Sequence, residues 1–126
     1  MNLRAMTASD RRFCVATWAR SARYRLSLPE QFRIVDQLLA RGVRVTCLVT
    51  GEGTVHAWLA AEGDVLHYVY SAPELRRNGF AKRLMLDAFG TGGPVFSSHP
   101  LPAWLARRAT YSPYMLASAM LAREAA

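Results

Sequence analysis

The spacing of apolar residues changes several times along this chain, and each change predicts an element. Asn2 to Ala5 has the length of a short first strand. Thr7 or Ser9 can cap a helix running to about Arg20, with Phe13, Ala16 and Trp18 supplying bulk. Ser27-Leu28-Pro29-Glu30 starts a second helix: Ser27 caps, Pro29 fits the first turn and Glu30 completes a capping box. Phe32, Val35, Leu38 and Leu39 then recur at helical spacing, and Gly42 is the stop. The period next falls to that of strands over Val43 to Thr50, Thr54 to Glu62 and Val65 to Ser71. Gly51-Glu52-Gly53 and Gly63-Asp64 join them, and loops that short connect only antiparallel neighbours.

Pro73 ends the third of these strands, and a turn at Gly79 leads into a helix over Phe80 to Phe89. Phe80, Leu84 and Ala88 form its apolar row. Thr91-Gly92-Gly93 breaks it, and Pro94 to Ser98 reads as a fifth strand. Strand, crossover helix and strand together predict a parallel pair. Leu101 to Arg108 reads as a short helix, Thr110 to Leu116 as a strand or irregular segment, and Ala117 to Glu124 as a helix. The expectation is an α/β (α+β) chain, 1–126, forming a single domain. Its mixed, mostly antiparallel sheet would have about five to six strands flanked by helices.

Composition narrows the class. The chain has 126 residues, 52% hydrophobic and 20% charged, which excludes a disordered polymer. The formal charge is +7, and every one of the 16 basic residues except Lys82 is Arg. Arg forks suit phosphates and carboxylates, although a GC-rich coding sequence gives the same bias. Cys14 and Cys47 are expected to be two buried thiols, with no zinc spacing, so no metal is expected. No apolar stretch approaches the ~18 residues of a membrane span, and no signal-peptide core is present. A soluble, cytoplasmic protein that does not engage membranes is the resulting expectation.

The chemistry concentrates in Arg76-Arg77-Asn78-Gly79-Phe80-Ala81. A strand-to-helix turn leaves the first helical N–H groups unpaired, and the helix dipole adds partial positive charge there. Such a terminus binds anions. Gly79 lets the backbone bend close to a phosphate, Ala81 keeps the helix start uncrowded, and Arg76, Arg77, Lys82 and Arg83 add charge.

Residues 65–89 resemble the core motif of the GNAT superfamily of acetyl-CoA-dependent N-acetyltransferases. That motif is a hydrophobic strand, a Pro-Glu-aromatic-Arg stretch, then Arg or Gln, two residues, Gly, one residue, Gly or Ala, and an amphipathic helix. Arg76, Gly79 and Ala81 hold the three signature positions, and Pro73 and Glu74 also match. The resemblance implies a GNAT fold whose fourth and fifth strands splay apart around acetyl-CoA. It implies cofactor contacts from Tyr68, Val69, Tyr70 and Ser71 and from Arg76, Arg77, Asn78, Gly79, Phe80, Ala81 and Lys82. An amine acceptor, a small molecule or a protein, would attack the thioester directly. A narrower resemblance links His67-Tyr68-Val69-Tyr70, Trp18-Ala19-Arg20-Ser21 and Thr110-Tyr111-Ser112-Pro113-Tyr114 to small GNAT-like proteins of phages and prophages.

His67 is the first candidate base, because it lies on the strand that should line the thioester and titrates near neutral pH. His56 is a weaker one. Tyr111 and Tyr114 are the candidate acids, by resemblance to members that use a Tyr late in the chain. Ser97 or Ser98 with His99 offers a Ser–His nucleophile but no carboxylate beside it, so a hydrolase is disfavoured. His99 fits better as a substrate or CoA contact. The usual Asn at the end of strand five is missing, and the tail is short enough that a partner subunit in a homodimer could complete the sheet. Two alternatives follow: a catalytically inactive binding module, and a protein acting on nucleic acid through its Arg-rich surface, which is the less favoured partner.

Overall fold

The computed structural model describes residues 1–76, 78–94, 96–106 and 109–116, and for Leu75 and Trp104 only the backbone. The first element is strand β1 (Asn2–Ala5), followed by helices α1 (Ala8–Ser21) and α2 (Leu28–Ala40). Strands β2 (Arg44–Val49), β3 (Val55–Glu62) and β4 (Val65–Ser71) come next. Helix α3 (Phe80–Phe89), strand β5 (Phe96–Ser97), helix α4 (Ala103–Ala106) and strand β6 (Thr110–Tyr111) complete the order.

The helix ends follow from local chemistry. The Thr7 N–H donates to the Asp10 carboxylate at 3.0 Å, and Arg4 donates to the same carboxylate at 2.8 Å. This ties β1 to the start of α1. At α2, the Glu30 N–H donates to Ser27 Oγ at 3.3 Å, and the Ser27 hydroxyl donates back to Glu30 at 2.8 Å. Gly42 takes φ 99°, which lets the N–H groups of Gly42 and Val43 close on the carbonyls of Leu39 and Leu38.

The sheet runs β1-β2-β3-β4-β5-β6 in strict chain order. The first three pairings are antiparallel, and β4–β5 and β5–β6 are parallel. Helices cover both faces. Val45, Cys47, Val49, Trp58 and Ala60 pack with Cys14, Trp18, Val35 and Leu38 of α1 and α2. The alternate residues Leu48, Ala57 and Leu59 pack with Leu84 and Met85 of α3. Each strand therefore feeds two cores with a period of two, as its pleat requires.

Strand β4 departs from that alternation. Ala60 faces Tyr68 and Ala61 faces Leu66, so β4 carries one extra residue at His67. This bulge explains why Leu66 and Val69, three apart, both pack on the α3 side, while Tyr68 and Tyr70 pack on the α1/α2 side.

Several expected boundaries move. The fifth strand, expected over Pro94 to Ser98, is Phe96–Ser97, with Val95 outside the described residues. The helix expected over Leu101 to Arg108 is Ala103–Ala106, with Arg107 and Arg108 outside them. Only Thr110–Tyr111 of the next segment is strand, and the helix expected over Ala117 to Glu124 lies outside the described residues. No helix among the described residues is long and apolar enough to cross a membrane.

Candidate active site

Among the described residues, strands β4 and β5 pair at Val65–Phe96 and Leu66–Ser97. The Ser98 N–H adds one more bond to the Leu66 carbonyl at 3.0 Å. Past that point β4 keeps β3 on one side, and its other edge faces a cleft of about 820 Å³. The bulge at His67 sits where the two strands part, and the local twist a bulge adds is a physical cause of the splay.

Four segments wall the cleft. They are Tyr68 to Ser71 of β4, Arg76 with Gly79 to Lys82 at the start of α3, Ser97 with His99 to Pro102 beyond β5, and Ser21 with Arg23 at the end of α1. Of the expected cofactor contacts, Tyr68, Val69, Tyr70, Ser71, Arg76, Gly79, Phe80, Ala81 and Lys82 lie in this wall. Asn78 is exposed and does not line it, and Arg77 lies outside the described residues.

The start of α3 could hold an anion. Gly79 is its N-cap at φ 77°, in the left-handed region, and no side chain caps the helix. A Cβ on Gly79 would meet nothing within 4 Å, so the turn opens outward rather than being packed shut. The Arg76 side chain donates to the Ser71 carbonyl at 3.4 Å, which holds it across the turn. These groups fit a pyrophosphate.

The opposite wall is aromatic. His99 meets Tyr68 edge-on at 4.7 Å and Tyr24 at 5.5 Å between ring centroids. The Arg23 N–H donates to His99 Nε2 at 2.7 Å, and His99 Nδ1 lies 2.9 Å from the Pro100 carbonyl. A carbonyl only accepts, so the proton sits on Nδ1 and the ring is neutral. Burial pushes the His99 pKa below the usual histidine value; the Pro100 carbonyl opposes this and the nearby Arg23 charge adds to it. Burial raises the Tyr68 pKa, against the Ser21 hydroxyl and the charges of Arg23 and Arg76.

The three residues assigned to proton transfer from sequence sit elsewhere. His67 is 0% exposed and does not line the cleft. Its Nε2 lies 3.1 Å from Glu62 and its Nδ1 2.7 Å from Ser98 Oγ. Burial holds its pKa below the usual value despite Glu62, so Nε2–H donates to the carboxylate and the Ser98 hydroxyl donates to Nδ1. Arg41 holds both oxygens of Glu62, donating from Nη2 at 2.8 Å to the same Oε1 that faces His67 and from Nε at 3.1 Å to Oε2, and it also donates to the Leu116 carbonyl at 2.9 Å. Burial alone would raise the Glu62 pKa, but Arg41 and His67 hold it low. Tyr111 and Tyr114 are 47% and 77% exposed, and neither lines the cleft. His56 is partly buried on β3, and its Nε2 has no hydrogen-bond partner among the described residues.

The Ser–His pairing also differs from expectation. Ser98 joins His67 rather than His99, and a carboxylate, Glu62, does complete the line. Ser98 is 1% exposed, however, so this line is closed to any substrate and acts as a brace between β3, β4 and β5. Sequence reasoning missed Ser21 and Arg23. The Arg-rich stretch Arg20 to Arg25 was visible, but a hydrogen bond to His99, 76 residues away, was not.

A mixed sheet whose fourth and fifth strands splay beside a glycine turn and helix is the GNAT fold. A crystal structure of the aminoglycoside antibiotic 6'-N-acetyltransferase AAC(6')-IG from Acinetobacter haemolyticus, in its apo form, has this fold too. The match covers 95% of this chain and 86% of that one, with a TM-score of 0.55 and 15% sequence identity. No protein-family model and no curated protein sequence matches the chain.

Proposed function

We propose that this chain is an acetyl-CoA-dependent N-acetyltransferase. The observation that carries the reading is the splayed β4/β5 cleft, with the uncapped, glycine-turned start of α3 at one mouth. In this reading the first N–H groups of α3, with Arg76 and Lys82, hold the cofactor's pyrophosphate. The free edge of Tyr68 to Ser71 pairs with the amides of the pantetheine arm. Acetyl-CoA supplies the activated acyl group. A β4 backbone N–H polarises the carbonyl at which the amine attacks.

Proton transfer falls to groups in the cleft wall. Burial keeps Tyr68 protonated through neutral pH, so its hydroxyl is the candidate donor to the leaving sulfur. Three cations line the cleft, Arg23, Arg76 and Lys82, and no carboxylate lines it among the described residues. Arg23, the lining cation not assigned to the pyrophosphate, disfavours an ammonium ion beside it and so favours the neutral, nucleophilic amine without a dedicated base. His67 serves as a positioning residue through Ser98 and Glu62.

The test is thermal unfolding with and without acetyl-CoA. A ligand that binds only the folded state raises its midpoint, by several degrees at about 100 times its dissociation constant. No shift at millimolar acetyl-CoA overturns the proposal. A second reading, a cofactor-binding module without catalysis, draws on the absence of His67, Tyr111 and Tyr114 from the cleft wall. A shift with acetyl-CoA but no turnover across a panel of amines selects it.

A further inference from the structure

The lining of the cleft divides between the two faces of the sheet, and the two sides differ in chemistry. Val69 and Phe80 pack on the α3 face, where the glycine turn carries Arg76 and Lys82. Tyr68 and Tyr70 pack on the α1/α2 face, where the cleft also receives Ser21, Arg23 and His99. Arg23 is held there by its own backbone, through the 2.7 Å bond to His99 Nε2. Its guanidinium makes no ion pair among the described residues. It lies close enough to bias the titration of both His99 and Tyr68. The loop is itself specialised: Arg25 takes φ 61°, an uncommon conformation for a residue other than Gly.

We propose that the acceptor enters from the α1/α2 face and is a small aromatic amine that also carries a carboxylate, of the aromatic amino-acid class. Arg23 receives the carboxylate, and the rings of Tyr68, Tyr70 and His99 receive the aromatic body. This rests on the acetyltransferase reading above. A guanidinium fork matches a carboxylate in a bidentate geometry. A polycationic acceptor entering from this face would meet Arg23, with no carboxylate among the described lining residues to offset it. The acceptor class therefore differs from that named for the aminoglycoside enzyme of the same fold. In the reaction the amine nitrogen forms the bond to the acyl carbon as the carbon–sulfur bond breaks. The proton the amine gives up ends on the sulfur.

The experiment compares L-phenylalanine, phenethylamine and kanamycin as acceptors at one pH, in the wild type and in Arg23→Ala and Arg23→Lys. Phenethylamine is L-phenylalanine without its carboxylate. The expected wild-type kcat/KM is higher for L-phenylalanine than for phenethylamine by roughly ten-fold or more, the scale of one charge-assisted hydrogen bond. Arg23→Ala is expected to bring that ratio to about one, and Arg23→Lys to restore part of it. Calorimetric binding of the same three compounds to CoA-saturated protein gives a readout that does not need turnover, with the same order expected. Phenethylamine or kanamycin matching L-phenylalanine, or a ratio unchanged in Arg23→Ala, overturns the proposal. A protein that shifts with acetyl-CoA yet shows no preference overturns this inference alone. One that does not shift overturns the acetyltransferase reading and this inference with it.

Discussion

An added proton on His99 has a defined local consequence. Nε2 accepts the Arg23 N–H, so protonating that nitrogen removes the bond joining the α1 loop to the segment after β5. Burial, with the Arg23 charge, holds the His99 pKa below the ordinary value, and burial does the same for His67. Both folded values lie below the unfolded one of about 6.5. Between the folded and unfolded values the unfolded chain binds more protons, so stability rises with pH. The contribution is complete above the unfolded value and is lost as pH falls below it. The unfolding midpoint is expected to drop as pH is lowered from about 7.5 to 5.5, and His99→Gln to flatten part of that drop. A midpoint that is flat across this range in the wild type would sink the argument. The residues concerned were visible in the sequence as candidates, but their partners were not. His67 is a candidate because it lies on β4, and the extra residue that β4 carries there leaves it with Glu62 and Ser98 instead. A bulge leaves no mark in a hydrophobic pattern, because the pattern records residue types and not their pairing.

At the level of elements, the glycine turn before α3 is where local sequence and function coincide. Gly79 holds φ 77°, which a side chain resists, while its Cβ position is open space. Gly79→Ala therefore adds backbone strain without a clash, and is expected to destabilise the protein by about 1–2 kcal/mol in urea unfolding. It should also weaken the thermal shift caused by acetyl-CoA, because relief of strain moves the first N–H groups of α3. Wild-type stability in this variant would show that the turn is not held in the left-handed region. The meander and α3 were legible because their signals are local. Turn residues flank each strand, and the apolar rows have one period each. Strand β5 was legible as an element but not in length. Its extent is fixed by where it leaves β4, and that depends on the bulge and on His67–Ser98 rather than on its own residues. The late Tyr residues lie away from the cleft for a related reason. Tyr111 sits on a strand outside β5, two strands removed from β4, and Tyr114 follows it into solvent.

Taken as a whole, the molecule is a stiff antiparallel half joined to a thinly held parallel half. β2 and β3 pair along their lengths and lie between two cores, whereas β4 and β5 share two residue pairs among the described residues. The N–H groups of Phe96 and Ser98, bonded to Asp64 and Leu66, cross that junction. Local opening is easiest where few buried contacts cross a boundary. In hydrogen exchange, the amides of Phe96 and Ser98 are expected to exchange faster than those of Cys47, Leu48, Trp58 and Leu59. A ligand lying between the two strands braces the junction from both walls, so acetyl-CoA should slow exchange at Phe96 and Ser98 more than in β2 and β3. Slowing confined to the α3 turn would mean that the cofactor touches only one wall. Equal protection of both halves without ligand would mean that the junction is not the weak point of the sheet. The same split explains why the fold was easier to foresee than the chemistry. The strong half is made of neighbours in sequence, and the cleft is made where distant segments, Arg23, Tyr68, Gly79 and His99, come to face one another.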